Sequence, residues 1–144
     1  SFWNNLTDVI KDLPEDEKVM IYGDMNGHVG DHVEGYQKSH GGFGFGETNK
    51  EGIRILDFAE SLHLQVVNTY FKKAKQHLIS YKSGEHESQI DYLLTQNAMR
   101  LRCRNIKTIP GEECIQQHRL LIADISFRNI AAKTKPRSQQ KIKI

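Results

Sequence analysis

The sequence predicts a mixed α/β or α+β domain. Three observations lead there: two segments with apolar residues at helical spacing, six short apolar runs of strand length, and turn-forming stretches between them. Residues 2–13 place Phe2, Leu6, Val9, Ile10 and Leu13 on a helical repeat, which Pro14 and the acidic turn after it end. A strand follows at 18–23. From 27 to 48 the chain is Gly- and His-rich, too rich in glycine for regular structure, and reads as one long loop. A second helix is expected at 49–62, with Ile53, Leu56 and Ala59 on one face and Ile55, Phe58 and Leu62 widening it. Further strands are expected at 65–68, 79–82, 89–94, 104–108 and 120–127.

With 144 residues, 38% of them hydrophobic and 26% charged, the chain is one domain or part of one. No apolar run approaches the roughly 20 residues of a membrane helix, so no membrane is expected among its partners. The start lacks a basic region followed by a cleavage site. Cys103 and Cys114 match neither a disulfide framework nor a zinc pattern. An intracellular setting, nuclear or cytoplasmic, is the expectation. A net charge of +2 excludes a strongly basic nucleic-acid binder overall. The charge is nonetheless uneven. Arg128, Lys133, Lys135, Arg137, Lys141 and Lys143 lie beyond Phe127 with no acid among them. Residues 1–128 are thus expected to form the domain, and 129–144 a basic linker or disordered tail able to track phosphates.

Three polar blocks sit at strand ends. Val19-Met20-Ile21-Tyr22 stops at Gly23-Asp24-Met25-Asn26; an aspartate interrupts the apolar Ile90-Asp91-Tyr92; and Gln116-Gln117-His118-Arg119 precedes the last strand. The first also reads as an ordinary turn. Alternation puts Asp91 on the face of Leu93, where a lone carboxylate is costly unless paired. His118 is the candidate partner; it should depress the pKa of Asp91. Asp with Asn can hold a water or an oxyanion. A separate candidate is a transition-metal set of His28, His32 and His40, although helical i, i+4 spacing means little in a glycine-rich loop.

In this order the three blocks resemble the endonuclease/exonuclease/phosphatase superfamily, whose members end strands in G-D-x-N, [IL]-D-[YF] and S-D-H. Asn49-Lys50-Glu51-Gly52, Leu56, Phe58 and Asn68-Thr69-Tyr70-Phe71, lying between the first two blocks, are similar to the endonuclease domain of RTE- or BovB-type LINE retrotransposons. The resemblance spans nearly the whole chain. It implies a DNase I-like α/β/β/α sandwich of four layers and two similar halves. This chain would be the C-terminal half, α+β, with a mixed, mainly antiparallel sheet and helices on one face. The other face would be bare, so a homodimer or a partner chain is expected to cover it. The resemblance also implies Mg²⁺-dependent nicking of DNA. Asp24 would position or deprotonate the water and is the one possible metal contact. Asn26 would hold water or phosphate, His118 would stabilise the phosphate charge, Asp91 would orient His118, and Asn68 and Arg119 would bind substrate. Two departures weigh against strong activity. Gln117 stands where the family has the aspartate of S-D-H, and the family's early asparagine and metal-binding glutamate have no counterpart. A weak or lost nuclease is therefore expected, the alternative being a domesticated protein- or DNA-binding or oligomerisation module without catalysis.

Overall fold

The computed structural model describes residues 1–115 and 117–127, the side chains of 112–115 excepted; the expected basic tail lies outside the described residues. Helix α1 (Phe2–Lys11) starts at Ser1, whose hydroxyl accepts from the Asn4 amide. It turns Trp3, Leu6 and Ile10 inward. Phe2 and Val9, expected on the buried stripe, are instead 68% and 60% exposed. Strand β1 (Met20–Asp24) follows. The long loop is as irregular as expected, yet it is anchored, with Val29 fully buried in the core. Helix α2 (Lys50–Ser61) begins at Asn49, whose side-chain oxygen accepts from Gly52 and also from His28, so one residue caps the helix and ends the loop. Its buried face is Gly52, Ile55, Leu56, Phe58 and Ala59; Ile53 points outward.

Strand β2 (Leu64–Val66) is shorter than expected, because the chain turns into a 3₁₀ segment at Val67–Tyr70. The Thr69 hydroxyl captures the Val66 carbonyl, the local side-chain competition that ends strands. Next come β3 (Tyr81–Ser83), β4 (His86–Ser88), β5 (Asp91–Gln96), a short α3 (Asn97–Arg100), β6 (Cys103–Ile115) and β7 (His118–Ile125). Strand β6 runs past the expected end at 108 and through Pro110-Gly111; the β6–β7 register shifts there, between Ile109 and Glu113.

The strands form two antiparallel sheets, β1-β5-β2 and β4-β3-β7-β6. One face of the first sheet, carrying Tyr92, Leu94 and Val66, packs under α1 and α2. The other face, carrying Leu93 and Val67, packs on Ile106, Leu121, Ala123 and Ile125 of β6 and β7. The fold is α+β, as expected. The bare face is not found: the second sheet of the same chain covers it. Sequence reading missed this because it placed all strands in a single sheet.

Candidate active site

Antiparallel pairing of β1 with β5 sets Asp24 directly opposite Asp91. Two carboxylates facing each other across a ladder repel. His118, the first residue of β7, lies between them: its Nδ1 is 2.9 Å from Asp91 Oδ2, and its Nε2 is 3.6 Å from Asp24 Oδ2. With Nδ1–H donating to Asp91, Nε2 is left facing Asp24. That contact is favourable when a proton sits on one of the two.

Each member is held by its own element. β7 starts two residues earlier than expected, so His118 belongs to the strand and pairs with Tyr81 of β3. The Tyr81 ring stands edge-on to the imidazole at 5.1 Å and 68°. Ser80, fully buried, accepts from the amides of Ile90 and Asp91 and donates to the Asp91 carboxylate. Asp24 accepts from the amide of Asn26 at 2.9 Å, which folds Gly23–Asn26 into a tight turn. Asn26 has φ of 49°, a left-handed conformation that asparagine tolerates, and it is exposed beside Asp24.

The acid strength of Asp91 runs opposite to expectation. Burial raises its pKa, and the hydrogen bonds from Ser80 and His118 offset this only in part, while Asp24 raises it further. The imidazole partner alone would lower the pKa; the loss of water on burial outweighs it.

Asn68 and Arg119 are placed differently from the expected substrate-binding pair. Asn68 is 5% exposed, and its amide bridges the Leu93 N–H and the Asp91 carbonyl, so it holds β5 rather than facing a ligand. The Arg119 guanidinium donates to the Gln76 carbonyl at the surface. Ser80, Tyr81 and the Tyr92 hydroxyl were not singled out from the sequence. Tyr92 is fully buried, and its hydroxyl lies within hydrogen-bond reach of Val29 N, Gly27 O and Gln89 O, tying the loop after Asn26 to the strand of Asp91. The only sequence signal for it was an aromatic beside an aspartate.

The three loop histidines do not converge. Both ring nitrogens of His40 are taken, Nε2 by the Gly30 carbonyl at 2.7 Å and Nδ1 by the Gly42 amide at 2.9 Å, and His32 lies 3.3 Å from Glu34. Among the described residues no three His, Cys, Asp or Glu side chains form a group that could hold a metal ion. At Asp24 the carboxylate oxygens are already turned to Asn26 and His118. Mg²⁺ is commonly held by one or two carboxylates together with waters and substrate phosphates, and the exposed Asp24 is the carboxylate here that would supply such a contact.

No protein-family profile matches the chain. Over 130 residues, 88% of this chain, it is 32% identical to craniofacial development protein 2 of Tragulus javanicus and 31% identical to that of Bos taurus. It spans only 22% of the length of either relative. That identity over most of the chain makes it homologous to a segment of craniofacial development protein 2.

Proposed function

We propose that this is a retrotransposon-derived endonuclease-like domain, related to Mg²⁺-dependent DNA phosphodiester hydrolases, with weak or lost nicking activity. The observation that carries the reading is the Asp91–His118–Asp24 relay at the sheet junction. Asp91 orients the imidazole through Nδ1. Nε2 then points at Asp24, beside the exposed Asn26, where a phosphate oxygen can accept its proton. Asp24 is the exposed carboxylate able to take a proton from water.

The weakness follows from the donor set. Gln117 supplies only its backbone carbonyl, to Lys82 N–H, in place of a charged group. That observation also favours the second reading, a binding module that kept the phosphate contacts without turnover. Supercoiled-plasmid nicking in Mg²⁺ against EDTA tests the activity: trace nicking or none is expected. Strong Mg²⁺-dependent nicking that Asp24→Ala abolishes would overturn the weak reading and establish an enzyme. Titration of inorganic phosphate followed by the His118 ring resonances tests the site itself. If His118 does not respond while the fold is intact, the phosphate reading falls.

A further inference from the structure

A cavity of about 260 Å³, lined by polar side chains, lies at the β2 edge of the first sheet, on the side away from β1. Along β5 it is far from the relay. Leu64 pairs with Gln96 at one end of that strand, and Asp24 with Asp91 at the other, roughly 17 Å away at the rise of a strand. Four elements build the cavity. The long loop brings Lys38 and Ser39 against β2, where the Val66 amide donates to the Ser39 carbonyl at 2.8 Å. Helix α2 brings Glu60, and His63 after it has a φ of 56° that turns its N–H back to the Glu60 carbonyl. β2 supplies Gln65, and α3 supplies Asn97. Gln65 is already spent: its Oε1 accepts from Arg100 Nε at 2.8 Å, and its Nε2 donates to the Lys38 carbonyl. Asn97 Oδ1 accepts from the same guanidinium, which lies over the Tyr70 ring. Two oxygens are left over. Ser39 is 1% exposed. Its Oγ and Glu60 Oε1 are both buried and have no hydrogen-bond partner among the described residues. Buried oxygens of this kind are costly unless a donor meets them.

We propose that this cavity binds an alkylguanidinium, the head of an arginine side chain or of a small guanidino compound. A carboxylate can only accept, and a serine hydroxyl accepts as readily as it donates. The occupant must therefore bring N–H or O–H groups, and a positive charge makes the bond to Glu60 the stronger, charge-assisted kind. A guanidinium carries five N–H donors in a flat fork and holds its water less tightly than an ammonium does, so it gives up less on entering. An anion is disfavoured. Its charge would meet Glu60, while Lys38 and His63, the basic groups at the rim, are exposed and already solvated. The site is separate from the relay and does not rest on the phosphodiester reading; amide resonances at the cavity report the one and plasmid nicking the other.

Methylguanidinium chloride titrated into the full chain, followed by proton–nitrogen amide spectra, should shift Ser39, Glu60 and His63 and leave the His118 ring unmoved. Methylurea has the same shape without the charge, and tetramethylammonium has the charge without an N–H; neither should bind. Glu60→Gln should weaken methylguanidinium binding about tenfold and Ser39→Ala less, as expected for one charge-assisted and one neutral hydrogen bond. Lys38→Ala should tighten it by removing a like charge from the rim. Circular dichroism checks that each variant stays folded. N-acetylarginine methylamide separates the two sources: binding at least as tight as that of methylguanidinium assigns the group to a polypeptide side chain, and much weaker binding assigns it to a free small guanidine. No shift at the three amides, equal binding of methylurea, or an affinity that Glu60→Gln leaves unchanged would overturn the proposal. So would sulfate that moves the same amides and loses its hold in Lys38→Ala, which would make the cavity an anion site.

Discussion

Asp91 shows how a single carboxylate can be costly to the fold and useful to the site. Its raised pKa comes first from burial. An acid whose folded pKa is raised binds protons more readily folded than unfolded, so its contribution to stability declines as pH rises from the ordinary 3.8 through its folded value. Asp91→Asn keeps an acceptor for His118 and removes the charge. It should raise the melting temperature at pH 7.5 and do so less at pH 4, in paired thermal melts; a lower melting temperature at pH 7.5 would refute this. His40 behaves oppositely. Its ring is 2% exposed, and burial lowers its pKa from 6.5 against the pull of the Gly30 and Val29 carbonyls and Asp31, with His32 adding to the lowering. The hydrogen bond from the Gly42 N–H to His40 Nδ1 needs the neutral ring, since a second ring proton would meet the Gly42 N–H. Stability from His40 is therefore present above about pH 6.5 and lost as pH falls below it. Denaturant unfolding between pH 5 and 7.5 should show this acid loss in the parent and much less of it in His40→Gln.

At the level of elements, legibility followed periodicity. Both helices, β1 and the apolar run of β7 could be read because their repeats are long and uninterrupted. The β3–β4 hairpin was read only in part, its first strand placed early at 79–82 and β4 not at all, because each strand is three residues long. β2 and the following 3₁₀ segment were merged because Asn68 acts through a bond to Leu93 far off in sequence, and the Thr69 hydroxyl that captures Val66 leaves no periodic mark. The site residues Asp24, Asn26, Asp91 and His118 were visible as polar punctuation. Ser80 was not, since a serine before a strand carries no mark of burial. The start of α2 is sensitive for reasons the structure makes explicit. Asn49→Ala removes a cap and the acceptor of His28 N–H, and should cost about 1–2 kcal/mol by chemical denaturation. Gly52→Ala is harsher: a β-carbon there would fall 1.7 Å from the His28 carbonyl oxygen. It should destabilise more than Asn49→Ala, and a smaller effect would mean that the loop gives way easily.

Across the whole molecule, three layers share two cores, and the middle sheet belongs to both. Leu93 is fully buried between the sheets. Leu93→Ala should cost about 2–5 kcal/mol and, because it loosens the junction, should also broaden the His118 resonances. Ile53→Ala, at a 38% exposed site, should cost far less, and equal losses at the two positions would contradict the layer assignment. The middle sheet has a further consequence, one of time rather than of space. Val19 and Gln96 are joined across 77 residues of sequence, and among the described residues β5 is the strand that β1 pairs with. During synthesis from the N-terminus, β1 with Asp24 leaves the ribosome before β5, and their pairing must wait while four more strands and the second helix are made. The relay itself closes only when His118 emerges. Slow, non-local strand pairing of this kind exposes apolar segments to wrong partners, so the yield of folded chain should depend on how well the nascent β1 is shielded in that interval.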